Sequence, residues 1–214
     1  IARPQVGSRI ATNKEREGIE TIIALDISNS MLAEDVAPSR LEKSKLLVEN
    51  LMNKFSEDKI GLIVFAGDAF VQLPITSDYV SAKMFLDNIN PSLIGTQGTD
   101  IGKALQLSMN SFTPNSKVGK AIILITDGED NEGGAEEMAK QAQSKGIRVF
   151  ILGVGSTEGA TIPMSDGSEL KTSNGEVVKT RLNEEMCKQI ATAGHGFYLH
   201  VTNSSMADAV LGRE

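Results

Sequence analysis

The sequence predicts an α/β fold: a doubly wound, mostly parallel sheet with helices on both faces. Two patterns carry that prediction. Short continuous apolar runs, the mark of strands buried on both sides, alternate with stretches of helical periodicity along the 214 residues. Two of those runs end in an aspartate, and in such sheets the crevice at the carboxyl ends of the strands is where ligands bind.

The elements follow in order. Residues 1–18 read as a lead-in segment and 19–214 as a single domain. Ile22–Leu25 is the first buried strand and closes on Asp26. Leu41–Phe55 sets Leu41, Leu47, Val48, Leu51 and Phe55 at helical spacing, and Ile60–Ala66 is a second strand. Ala69–Ile75 is a short strand that Pro74 confines to an antiparallel edge. Ser77–Ile89 is predicted as a helix with Tyr79, Met84, Phe85 and Ile89 inward, and Asp100–Phe112 as another. Ala121–Ile125 is a third buried strand running into Thr126, Asp127 and Gly128. Ala135–Lys145 is a helix capped by Gly146, and Val149–Val154 the next strand. Between Thr161 and Arg181, Asp166-Gly167 and Asn174-Gly175 are turn signals that predict a β-hairpin insertion. Asn183–Ala193 is a helix, Phe197–Val201 a last strand, and Ser204–Leu211 a last helix.

Composition narrows the function classes. The net charge of −7 argues against nucleic acid as a partner, because displacing counterions needs a basic face. Cys187 is the single cysteine, so no internal disulfide forms, and its neighbours make it a small core residue. No apolar run approaches the roughly 18 residues that span a bilayer. His195 and His200 are too isolated for a zinc site. The glycines around Gly153 and Gly155, and Gly102-Lys103, fail the spacing of nucleotide loops.

Chemistry concentrates in three segments: Asp26-Ile27-Ser28-Asn29-Ser30, Gly98-Thr99-Asp100, and Asp127-Gly128. Brought to one sheet edge, Asp26, Ser28, Ser30, Thr99 and Asp127 give two carboxylates and three hydroxyls. Such an all-oxygen shell suits a hard divalent cation, Mg²⁺ or Mn²⁺ ahead of Ca²⁺. In an extended turn, residues two apart point the same way, so Asp26, Ser28 and Ser30 aim together while Ile27 and Asn29 turn aside. Neutral hydroxyls leave the ion under-neutralised and ready to recruit an outside carboxylate. Asn29, Met31, Glu129 and Asp130 surround the motif as a candidate partner-binding rim. Each has a plainer role to weigh: Met31 packing beneath the loop, and Glu129, Asp130 and Glu132 complementing the dipole of the following helix.

The D-x-S-x-S run with a later Gly-Thr-Asp and Thr-Asp-Gly resembles the metal-ion-dependent adhesion site of von Willebrand factor A domains. The stretches at 25–45, 64–78 and 97–105 are similar to the Bat membrane proteins of bacteria, named for Bacteroides aerotolerance. The resemblance implies a Rossmann-like fold in which Ser28, Ser30 and often Thr99 touch the metal directly while the aspartates act through water. It implies no enzymatic activity, but binding of a protein partner through an Asp or Glu. It further implies membrane helices flanking this chain, a soluble domain on the periplasmic side of the inner membrane, and neighbours among other Bat proteins or MoxR-type ATPases. Two alternatives stand beside it: a metal-dependent hydrolase with Glu129 or Asp130 as base, and a scaffold whose metal site is empty or structural.

Overall fold

The structure, a computed structural model, describes residues 18–201. The expected helix at Ser204–Leu211 and nearly all of the lead-in segment lie outside the described residues.

Six strands form the main sheet in the order β3-β2-β1-β4-β5-β8. They are β1 (Glu20–Asp26), β2 (Lys59–Phe65), β3 (Ala69–Thr76), β4 (Lys120–Thr126), β5 (Ile147–Gly153) and β8 (Phe197–His200). Every pairing is parallel except β2 with β3, which places the Pro74 strand at an antiparallel edge as its sequence requires. The helices are α1 (Arg40–Lys54), α2 (Tyr79–Asp87), α3 (Ile101–Asn110), α4 (Ala135–Ser144) and α5 (Glu184–Ala193).

Alternation along the strands divides two cores. Ile23, Leu25, Leu62, Val64, Ile123 and Ile125 point to the face that carries Leu41, Leu47 and Leu51 of α1 with Ala82 and Leu86 of α2. Ile22, Ala24, Ile63, Ile122, Leu124 and Ile151 point to the other, against Ile101 and Leu105 of α3, Ala139 of α4 and Ile190 of α5. All seven residues of β1 are buried, as a central strand covered on both sides must be. Each large aliphatic side chain so enclosed contributes about 1.5–3 kcal/mol.

In α2 the inward set differs from the expected one. Ala82 and Leu86 are buried and Ile89 follows just beyond the helix, whereas Met84 is 62% and Phe85 43% exposed. Asp78 caps the helix by accepting from Ser81 N. The resulting phase puts positions 82, 86 and 89 on one stripe and Met84 and Phe85 outside it.

The insertion is a compact antiparallel element. Its base is the pair β6 (Ala160–Thr161) and β7 (Lys179–Thr180). Beyond it, bridges join Pro163 to Glu169 and Lys171 to Val177, each enclosing one of the two Xaa-Gly turns. Among the described residues, no helix is long and apolar enough to cross a membrane.

Strand order positions the site. The chain passes from β1 outward to β2 and β3, then returns to β4 on the other side of β1 and continues to β5 and β8. The direction of winding therefore reverses between β1 and β4, where a crevice opens at their carboxyl ends. Asp26 closes β1 and Asp127 follows β4.

Candidate functional site

Beyond Asp26 the backbone stays extended through Ser28 (φ −62°, ψ 161°) and then tightens into a 3-10 turn, Asn29–Leu32. The expectation of one extended turn holds only as far as Ser28. Ser28 and Ser30 nevertheless converge, with hydroxyl oxygens 3.1 Å apart. Ile27 packs into the core and Asn29 faces solvent.

Each serine hydroxyl has a carboxylate acceptor. Ser28 Oγ donates to Asp26 Oδ1 at 2.6 Å, and Ser28 N donates to the same oxygen at 2.9 Å. Ser30 Oγ donates to Asp127 Oδ2. The second oxygen of Asp26 accepts from Thr126 Oγ1 at 2.7 Å, and the second oxygen of Asp127 accepts from Glu129 N at 3.1 Å. Both aspartates are fully buried, while Ser28 and Ser30 line a cleft of about 220 Å³ with Thr99, Glu129 and the 94–98 loop. From solvent inward the order is hydroxyls first, carboxylates behind.

Thr99 is brought to this cleft by its own scaffold. Asp100 N donates to Ala66 O at 2.8 Å, anchoring the loop to the end of β2, and Asp100 Oδ1 caps α3 through Lys103 N. Thr99 N donates to Asn131 Oδ1 at 2.9 Å and Asn131 N returns a bond to Thr99 O at 3.0 Å. Asn131 thereby ties the third segment to the loop after β4. No hydrogen bond joins the Thr99 hydroxyl to either aspartate among the described residues.

The largest feature absent from the sequence reading is Arg40, the first residue of α1, which is 0% exposed. Its Nε and one terminal nitrogen grip Asp35 at 2.8 and 2.7 Å. The other terminal nitrogen donates to Asp127 Oδ2 at 3.1 Å and to Thr180 Oγ1 at 2.9 Å. Thr180 Oγ1 donates in turn to Glu129 Oε1 at 2.8 Å, and Arg181 N donates to that same oxygen at 2.7 Å. The insertion is thus bonded to the site through β7. Gly155 covers the guanidinium: its φ is +124°, and a Cβ there would lie 2.7 Å from Arg40 Nε.

Burial and like charge act together on the aspartates. Burial pushes the Asp127 carboxyl up to about 7, helped by the charge of Asp26 and opposed by Ser30 and Arg40. Asp26 shifts upward as well, chiefly through burial. At Asp35 burial also acts upward, but the hydrogen bonds from Arg40 and Ser156 N outweigh it and hold the group below the ordinary range.

The rim needs correction. Met31 is 0% exposed and packs in the core beneath the loop, so it has no surface to offer a partner. Asp130 accepts from Ile101 N at 3.3 Å at the start of α3 and lines a separate depression with Gly133 and Glu136, outside the cleft. Glu129 does line the cleft, with one oxygen committed to the insertion. The acids in the first turn of α4 are Glu136 and Glu137 rather than 129–132. Cys187 is a buried core residue, as expected, its thiol pushed up to about 12 by burial. Among the described residues no three His, Cys, Asp or Glu side chains gather as a ligand cluster, so the donors at this edge are two carboxylates and hydroxyls.

Comparison with known proteins identifies the family and the fold. The family model for the von Willebrand factor type A domain matches residues 21–210. An aerotolerance-related membrane protein from Bacteroides fragilis, whose crystal structure was determined with multiple mutations to serine, is 56% identical, with a TM-score of 0.89 over 92% of this chain and 98% of that one. The conserved hypothetical protein BatB from Bacteroides thetaiotaomicron is 59% identical, with a TM-score of 0.88 over 91% of this chain and 95% of that one. An uncharacterised protein of Borreliella burgdorferi is 32% identical over 66% of this chain, which spans 42% of that relative's length. The chain belongs to the von Willebrand factor type A domain family and is similar, at more than half of its aligned positions, to aerotolerance-related Bat-type proteins of Bacteroides.

Proposed function

We propose that this domain is a metal-dependent protein-binding module in a membrane-anchored, Bat-type envelope assembly, with no catalytic step of its own. Asp26, Ser28, Ser30, Thr99 and Asp127 hold Mg²⁺ or Mn²⁺, and an Asp or Glu of the partner completes the shell.

The observation that carries this reading is the pair of serine hydroxyls. Each spends its proton on a carboxylate, Ser28 on Asp26 and Ser30 on Asp127. The two hydroxyl oxygens are also within hydrogen-bond reach of each other, 3.1 Å apart, so both serines and both buried carboxylates form one cluster of oxygens. That arrangement suits a shared cation. An all-oxygen donor set of hydroxyls and carboxylates is the kind that hard divalent cations take. The two aspartates behind the hydroxyls supply negative charge without occupying the outer face.

A divalent ion here would supply an electrophilic position open to an incoming carboxylate. The chain's own residues shape the approach: Asn29 lies exposed at the mouth, and Glu129 turns one oxygen towards Thr180 and Arg181. Glu129 has one carboxylate oxygen engaged by Thr180 and Arg181 N, and Asp130 lies outside the cleft at the start of α3. This supports binding over hydrolysis. Partners of the matching kind are other Bat-type proteins or components of an associated MoxR-type ATPase system. The setting is the inner membrane, with this domain on its periplasmic side.

Calorimetry with Mg²⁺ and Mn²⁺ on the wild type and on Asp26→Ala tests the reading, together with capture of partners from detergent-solubilised membranes. The variant should fold and lose ion binding, and capture should require the ion and disappear in EDTA. Equal affinities in the two proteins, or capture indifferent to EDTA, would defeat it.

A further inference from the structure

We propose that Arg40 is a resident counter-charge and positioning residue that keeps the site folded without its ion and makes the ion exchangeable. This rests on the reading of the site as a divalent-cation site.

The argument begins with burial. A fully enclosed guanidinium is costly unless all of its N–H groups are used and its charge is matched. Arg40 meets both conditions: it makes two bonds to Asp35, one to Asp127, and further bonds to Thr180 Oγ1 and Thr180 O. It shares the same oxygen of Asp127 with the hydroxyl of Ser30. Asp127 therefore has a cation at 3.1 Å from the protein itself.

Counting charges gives the consequence. Four carboxylates make up the cluster, Asp35, Asp127 and Glu129 acting on the guanidinium and Asp26 acting on Asp127, so it carries three uncompensated negative charges when all four are ionised. Without Arg40 the deficit rises to four, and without the charge of Asp35 it falls to two. The pull on a dication should follow that number, because in an enclosed site charges a few ångströms apart interact strongly. Arg40 thus weakens the hold on the ion while removing the need for it.

This yields opposite signs from two neighbouring substitutions. Arg40→Met keeps the length of the side chain and removes the charge, and should bind Mg²⁺ on the order of tenfold more tightly. Asp35→Asn leaves the guanidinium less compensated and should bind on the order of tenfold more weakly. Arg40→Lys should return the affinity towards wild type. A merely structural role for Arg40 predicts loss in both substitutions, since each disturbs the same bonds.

The experiment is calorimetric titration with Mg²⁺ and with Mn²⁺, paired with thermal melts in EDTA and in excess Mg²⁺. In EDTA, Arg40→Met should melt well below wild type, and Mg²⁺ should recover much of that loss while moving wild type little. Affinity that is unchanged or weaker in Arg40→Met, with wild type still binding, overturns the inference and leaves the proposed function standing. Binding in Arg40→Met but not in wild type supports the counter-charge and defeats the proposed function. Absence of binding in both proteins overturns the two together.

Discussion

The two sides of the crevice solve one problem differently. On the β1 side Asp26 is served by Ser28 two residues on and by Thr126, 100 residues away in sequence on the adjacent strand. These are neutral donors, one from the D-x-S-x-S segment itself and one from β4. On the β4 side Asp127 depends on Ser30, 97 residues away, and Arg40, 87 residues away, with Arg40 reaching a further 140 residues to Thr180. Both carboxylates combine a local donor with one from a distant strand or loop, but only Asp127 sits in a network that includes a cation and the insertion. Both halves need the folded sheet, and the β4 side needs the insertion and α1 as well.

The strongest test of that contrast is the pH dependence of stability in EDTA. The folded protein raises Asp127 to about 7 from an ordinary value of 3.8, through burial and the charge of Asp26. Between those values the folded state binds more protons than the unfolded chain, so stability falls as pH rises from about 4 to about 7 and levels off above. Asp26 is shifted in the same direction and adds to the slope. Urea midpoints measured across this range should decline, and Asp127→Asn should flatten the decline. A curve that climbs with pH would show that Arg40 overcomes the burial of Asp127. Saturating Mg²⁺, which needs the ionised carboxylates, should oppose the fall.

A smaller effect is expected where the insertion meets the β4 side. Thr180 is 1% exposed and its hydroxyl stands between Arg40 and Glu129. Thr180→Val preserves volume and β-branching while deleting both bonds. Arg40 keeps Asp127 and Glu129 keeps Arg181 N, so neither is left without a partner. The cost should be about 1–2 kcal/mol by urea denaturation, with faster proteolytic cleavage within residues 164–178. If neither changes, the backbone bonds of β6 and β7 hold the insertion alone, and the network ends at Arg40.

The same contrast explains what the sequence disclosed. The buried strands are continuous apolar runs, and the parallel order follows from their alternation with helices. The β1 half of the site is a pattern of five adjacent positions. Thr99 and Asp127 are found because they begin a helix and follow a strand. Arg40 leaves a fainter trace: it shares a helical stripe with Ser44, Leu47 and Leu51, all buried, so a charge lies on the inward face of α1. Its partners Asp35, Asp127 and Thr180 have no common spacing, and only tertiary contact unites them. Thr126 reads as an ordinary strand residue until its hydroxyl is seen on Asp26. Met84 and Phe85 mislead in the other direction, because hydrophobic character predicts burial only when the phase of the helix agrees.

The mildest test uses Cys187 as a reporter beneath the β4 loop. Gly128 has φ +75°, and a Cβ there would lie 2.6 Å from Asn183 O and 2.9 Å from Cys187 Sγ. The thiol is 0% exposed, and burial with the nearby Asp127 and Glu184 charges pushes it up to about 12. At pH 8 the native protein should therefore resist thiol reagents, labelling only as fast as the loop opens. Gly128→Ala forces the loop off α5 and should speed labelling severalfold. Ser28→Ala removes a hydroxyl on the β1 side with no steric demand and should leave the rate unchanged. Equal acceleration by both would mean that the two sides open as one unit, and the division drawn from their hydrogen bonds would not extend to their dynamics.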